Sequence, residues 1–271
     1  MSAKPILTEY SIEAPALSSD LTITLVSDLH ERKWDDLLPL IKESEPDIIA
    51  IAGDTFERYD PELKEQIKKS FTVILERLVK HIFYYINKFV VTILRNTPDS
   101  DRTYEFFREI SKIAPVVMSA GNHEEKFIEE DYKVFTELNI SLLENSDKTV
   151  SAKGEEILFG GLSSLYDENW LEKFSEKDGY KVLLCHHPIY FDRMIADKDI
   201  DLVLAGHNHG GQIRIKGKGI LSAREGILPK YDKGVFDNRL VVSAGCANTV
   251  AMPRINNPRE IVKINLVTPK Q

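Results

Sequence analysis

Asp201-Leu202-Val203-Leu204-Ala205 runs directly into Gly206-His207-Asn208-His209-Gly210-Gly211-Gln212. An uninterrupted apolar run of this length, closed by glycine, reads as a strand buried on both faces. Two imidazoles two residues apart stand at its carboxyl end. The same arrangement recurs upstream. Leu21-Thr22-Ile23-Thr24-Leu25-Val26-Ser27 leads to Asp28-Leu29-His30, and Asp47-Ile48-Ile49-Ala50-Ile51-Ala52 leads to Gly53-Asp54. Pro115-Val116-Val117-Met118-Ser119-Ala120 leads to Gly121-Asn122-His123-Glu124, and Lys181-Val182-Leu183-Leu184-Cys185 leads to His186-His187. A sixth run, Leu240-Val241-Val242-Ser243-Ala244, ends on Gly245. The early runs are spaced widely enough for crossover helices, while the last third is rich in glycine and short strands. The predicted fold is α/β, a sandwich of mixed sheets, with functional groups gathered at the carboxyl ends of strands.

Composition excludes several classes. The chain has 271 residues, 42% hydrophobic content and a net charge of −8. Such a surface is no general trap for nucleic acid, whose binding rests on neutralising phosphates. The first 20 residues carry no apolar signal core, and no uncharged apolar stretch approaches the length of a spanning helix. The expected location is therefore the cytoplasm. The two cysteines, Cys185 and Cys246, lie in apolar strand-like runs. They are read as buried thiols, because strand alternation turns Cys185 away from the side that His186 faces.

The spacings define a chemistry. Residues i and i+2 of an extended segment share a side, so Asp28 and His30 can reach one ion, and His207 and His209 can enter one cavity. Asp54, following a neighbouring strand and a glycine, can sit between two ions. Mixed oxygen and imidazole donors suit manganese, iron or zinc. Each motif alone is commonplace: a Gly-Asp pair is usually a turn. Five in one order, all at strand ends, make up the inventory of a two-metal hydrolytic site, which clamps a phosphoryl group and generates hydroxide at neutral pH.

The order Asp-x-His, Gly-Asp, Gly-Asn-His-Glu, a strand-terminal His and Gly-His-x-His resembles the calcineurin-like metallophosphoesterase superfamily, from about Leu21 to Val267. The resemblance implies a calcineurin-like β-sandwich of two mixed sheets flanked by helices, formed by 1–271 as one domain, with a binuclear site at the strand ends. It implies Asp28, His30, Asp54 and His209 around one metal, and Asp54, Asn122, His186 and His207 around the other. It makes His123 the catalytic group at the leaving oxygen, His187 a non-ligand, and Glu124 a support for His123 or for a ligand. Gly206–Ile213, Leu228–Gly234 and Pro253–Ile261 are similar to a bacterial branch of membrane-associated phosphodiesterases and UDP-2,3-diacylglucosamine hydrolases. Asn208 stands where that branch usually has Thr or Ser, and the N-terminal anchor or export signal frequent there is not seen. Arg254 is a candidate substrate contact by its fork geometry, with a structural salt bridge as the alternative.

Between the second and third motifs an amphipathic insertion is expected at about 60–110. Ile67, Phe71, Ile74, Leu75, Leu78, Ile82, Tyr85, Ile86, Phe89 and Ile93 form a stripe at helical spacing. Residues 64–95 carry seven basic and two acidic side chains, a local charge of +5. This fits a helix packed over the site, a peripheral membrane contact or a dimer contact. The expected function is hydrolysis of a phosphodiester or pyrophosphate, on a lipid-linked or nucleotide-sugar substrate. A small soluble diester or cyclic nucleotide is the alternative substrate, and a non-catalytic scaffold the alternative role.

Overall fold

In the computed structural model the described residues are 4–59, 98–222, 225–250 and 252–269. The amphipathic stripe of 64–95 lies outside them. Of the expected 60–110 insertion, only the end is described, and it contains a helix, Ser100–Ile110.

The apolar runs become the centres of two six-stranded sheets. In the first, β2 (Leu21–Val26), β3 (Ile48–Ala52), β4 (Val116–Ser119) and β5 (Ser141–Leu143) run parallel. β15 (Glu260–Val267) pairs antiparallel with β2, and β1 (Ile6–Glu13) completes the edge beside β15. In the second, β7 (Glu155–Leu162), β8 (Tyr180–Cys185), β9 (Leu202–Ala205) and β14 (Leu240–Val242) are parallel. β6 (Ser146–Ala152) and β13 (Gly234–Phe236) close its edges antiparallel. A small third sheet joins β10 (Ile213–Ile215), β11 (Lys218–Ser222) and β12 (Gly226–Ile227).

Alternation along each central strand divides the core into three layers. Ile48, Ala50 and Ala52 of β3 face the space between the sheets, with Ile23 and Leu25 of β2 beside them and Val182, Leu184, Leu202 and Leu204 opposite. Ile49 and Ile51 face the other way, onto α1 (Leu38–Glu43), α2 (Ser100–Ile110) and α3 (Glu129–Glu137), through Ile41, Phe106, Phe107, Val134 and Phe135. On the far side Leu183, Cys185, Val203 and Ala205 meet Leu171 and Phe174 of α4 (Glu168–Ser175), with Phe191 and Ile195 of a π-helical turn. Strands covered on both faces have no polar positions to spare, which is why the apolar runs are continuous. The parallel order also sets the carboxyl ends of β2, β3 and β4 facing those of β8 and β9 across the sandwich.

Both cysteines are buried, as expected. Among the described residues no helix is long and apolar enough to cross a membrane. Leu204 is fully buried between the sheets. Leu204→Ala is expected to lower stability by about 2–5 kcal/mol through lost transfer energy and a residual cavity, read as a shift in the midpoint of chemical unfolding.

Candidate metal centre

Three of the five motifs leave their strands by a left-handed turn. Asp28, His30, Asp54, His207 and His209 all have positive φ, between 48° and 72°. Non-glycine residues rarely adopt this left-handed conformation, and each costs of order 1–3 kcal/mol. The extended i, i+2 geometry expected for these pairs is therefore replaced by left-handed turns. Asp28 and His30 still converge on one cluster. His207 and His209 separate, one to each cluster.

Beside an overlapping group of His30, Glu57 and His123, the first cluster contains Asp28, His30 and His209, and the second Asp54, His186 and His207. Asp54 lies between them: its Oδ2 is 3.6 Å from His30 Nε2 and 3.1 Å from His186 Nε2. His209 Nε2 is 3.5 Å from Asp28 Oδ1, and His207 Nδ1 is 3.3 Å from His186 Nε2. Outer contacts orient the rings. His186 Nδ1 is 2.7 Å from the carbonyl oxygen of Ala52, and His30 Nδ1 is 2.9 Å from Glu57 Oε1. Both contacts fix the Nδ1–H tautomer and leave Nε2 aimed inward, the arrangement usual for metal-bound imidazoles. His30 Nε2 and Asn122 Oδ1 are buried without a hydrogen-bond partner. An orphaned lone pair is costly unless an ion takes it, so the donor set fits divalent metal. His187 packs beside His207, with ring centroids 4.2 Å apart, and joins neither cluster. Neither cysteine belongs to any such group among the described residues.

Close packing explains the glycines. A Cβ on Gly121 would stand 2.2 Å from Asp54 Oδ1, and one on Gly206 would stand 2.5 Å from Asp28 Oδ2. Neither carboxylate could keep its place beside a larger residue.

Glu124 does not orient the His123 ring. Its Oε2 accepts from the N–H groups of Asp54 (2.8 Å) and Gly121 (2.6 Å), and its Oε1 from those of Thr55 (2.6 Å) and Phe56 (2.9 Å). One buried carboxylate thus holds the left-handed turn that presents Asp54. Burial and the nearby Asp54 charge raise the Glu124 carboxyl to about 7, against the pull of those amides.

The motif pattern does not single out Glu57 or Arg58. Glu57 bridges two imidazoles: His30 Nδ1 on one oxygen and His123 Nδ1 on the other, each at 2.9 Å. Burial works to raise its carboxyl, but the hydrogen bonds from His123 and His30 hold it below the usual range. The Tyr59 hydroxyl stands 2.5 Å from His123 Nδ1. Arg58 points away from the cluster into a buried network. It donates to both oxygens of Asp131 at 2.8 Å and to Glu31 at 2.7 Å, fastening the loop to α2 and α3. The one signal available in the sequence is a carboxylate three residues beyond Asp54 on the same turn. Arg254 makes no ion pair among the described residues. Its Nη2 is 2.5 Å from the Ala247 carbonyl and 3.1 Å from His209 Nδ1, while Nε and Nη1 are buried without a partner.

Comparison with known proteins identifies the family. The family model described as calcineurin-like phosphoesterase matches residues 21–211. The chain belongs to that family. Two bacterial relatives are each 26% identical: "Uncharacterized protein YpbG" of Bacillus subtilis, over 72% of this chain, and "Uncharacterized metallophosphoesterase Cj0846" of Campylobacter jejuni, over 97%. The matched region spans 63% of the length of each relative. Among solved structures, the sulfate thiohydrolase SoxB of Thermus thermophilus aligns at a TM-score of 0.47 and 13% identity, over 83% of this chain and 52% of that one.

Metal removal has a pH signature. Against the desolvation of full burial, the Asp54 carboxylate raises His186 from its ordinary 6.5 to about 9. A raised folded-state pKa adds stability that is complete below 6.5 and lost as pH rises through about 9. Glu124, also raised, loses its contribution on the way to about 7, in the same direction. Burial moves His209 the opposite way, to about 3, and its contribution is already complete above 6.5. Chelator-treated protein is therefore expected to melt at progressively lower temperature from pH 6.5 to 9. If His186 is a ligand, metal-loaded protein would show a flatter profile, because a bound metal would displace its proton. Thermal melts with and without chelator measure both.

Proposed function

We propose that this protein is a metal-dependent phosphoric ester hydrolase working with two divalent ions. Family membership supports the reaction class. The observation that carries the binuclear reading is the place of Asp54, whose Oδ2 stands within 3.6 Å of an imidazole from each cluster. In this reading Asp28, His30, Asp54 and His209 would hold one ion and Asp54, Asn122, His186 and His207 the other, with Asp54 common to both sets. The buried, unpartnered Nε2 of His30 and Oδ1 of Asn122 support one donor to each ion. The donor set suits manganese, iron or zinc. Bound there, such ions lower the pKa of a water molecule and polarise phosphoryl oxygens.

The chain's own groups do the rest. Glu57 accepts the Nδ1 proton of His123, orients the ring and stabilises its charged form. His123 Nε2 faces the cluster, 3.9 Å from Asp54 Oδ2. From there it gives its proton to the leaving oxygen. The buried, unpartnered Nε and Nη1 of Arg254 support a role in holding a phosphate oxygen.

Metal analysis of fully loaded protein is expected to give two ions per chain, and Asp54→Asn should weaken both sites. A single ion in loaded wild-type protein would rule out the binuclear reading. His123→Ala is expected to retain metal while hydrolysis slows by a factor of about 10² to 10⁴. The loss should be smallest for bis-p-nitrophenyl phosphate, whose nitrophenolate departs without help. Loss of metal in His123→Ala would show that the imidazole is a ligand.

A further inference from the structure

The small third sheet carries an apolar row that the site does not use. Ile213, Leu221 and Ile227 are register partners across β10, β11 and β12, so their side chains lie on one face. Ile255 bridges to Ile213 and extends the row. The other face is the inner one, where the Ser222 hydroxyl reaches Asn208. Ile227 is 76% exposed, Leu228 62%, Ile215 55% and Ile255 46%. Isolated exposed aliphatics are ordinary, but a contiguous row of them marks a contact surface.

Charge identifies the partner. Residues 213–230 contain Arg214, Lys216, Lys218, Arg224 and Lys230 against Glu225 alone, a local charge of +4 in a chain of −8. Arg214 and Lys230 are paired with Asp232 and Asp192. Lys216 and Lys218, both exposed in the β10–β11 turn, make no ion pair among the described residues. Exposed aliphatics with unpaired lysines beside them match the layering of an anionic lipid surface: hydrocarbon below, phosphate at the level of the ammonium groups.

We propose that the β10–β12 sheet docks this protein onto anionic membranes, through Ile215, Ile227, Leu228 and Ile255 with Lys216 and Lys218. The row begins four residues after His209, and Ile255 adjoins Arg254. This inference does not depend on the hydrolytic reading.

Flotation of the full chain with phosphatidylglycerol-containing and pure phosphatidylcholine vesicles tests it. Wild-type protein is expected to float with the anionic vesicles and to be released by salt. Lys216→Glu with Lys218→Glu should cut binding at least about tenfold, and Ile227→Ser with Leu228→Ser should do likewise. Both variants should keep wild-type melting and wild-type hydrolysis of bis-p-nitrophenyl phosphate. Absence of wild-type binding overturns the proposal. So does binding by both variants at the wild-type level, which would place the contact elsewhere. A lipid-free dimer broken by Ile227→Ser with Leu228→Ser would also overturn it and make the row a protein interface.

Discussion

Four backbone N–H groups converging on the Glu124 carboxylate hold this site in shape. Asp54 sits in a left-handed turn that its side chain alone could not impose, and a buried amide without an acceptor would cost about 1–3 kcal/mol. Glu124 satisfies amides from the β3 and β4 loops together, so it ties the two neighbouring strand ends into one unit. Gly121 is pressed against Asp54 within that unit, leaving no room for a Cβ. The His123 N–H then donates to Asp54 Oδ1 at 2.8 Å, and the carboxylate is fixed from a second direction.

The cost of this arrangement is spread through the fold. Five cluster residues lie in left-handed conformations, and two aspartates are fully buried. Burial pushes both carboxyls up, yet neighbouring imidazoles draw them below the usual carboxylate range, with His186, itself raised, acting on both Asp54 and Asp28. The strain persists because the strands beneath are immovable: β3 and β8, which supply Asp54 and His186, are buried along their whole length. Arg58 provides a second fastening. Removing one partner of such a buried ion network costs several kcal/mol, mostly as an uncompensated charge. Arg58 thereby anchors the loop on which the neighbouring Glu57 stands between His30 and His123.

The legible part of this fold was the part covered on both faces. β2, β3, β4, β8, β9 and β14 announce themselves because no polar residue interrupts their buried runs for long. The edge strands do not. β6 is Ser146-Asp147-Lys148-Thr149-Val150-Ser151-Ala152, with only Val150 buried, and its pairing comes from β7 rather than from its own pattern. β1 and β15 owe their register to each other across the whole chain. At the site, the side chains that gather were legible from motif order, while their geometry was not. Left-handed turns at Asp and His are not fixed by residue type, because these residues adopt that conformation more often than most yet still in only a small minority of positions. Glu57 and Arg58 were silent for another reason. Their partners, His30, His123 and Asp131, are brought to them by tertiary structure alone.

Asn208 shows how the parts are mechanically joined. It lies between two cluster histidines but turns away from them. Its amide nitrogen donates to the Tyr231 carbonyl at 2.8 Å, and its amide oxygen accepts from the Ser222 hydroxyl at 3.1 Å. A hydroxyl side chain carries its donor and its acceptors on a single atom, whereas the amide presents them on two separate atoms, one toward each partner. The amide therefore fastens the end of β11, and the loop before β13, to the turn that carries His207 and His209. Arg214, bonded to Asp232 and to the Gly210 carbonyl, repeats the link from β10. The third sheet is thus bound to the metal-binding turn by paired polar contacts on its inner face, while its outer face keeps its aliphatic row.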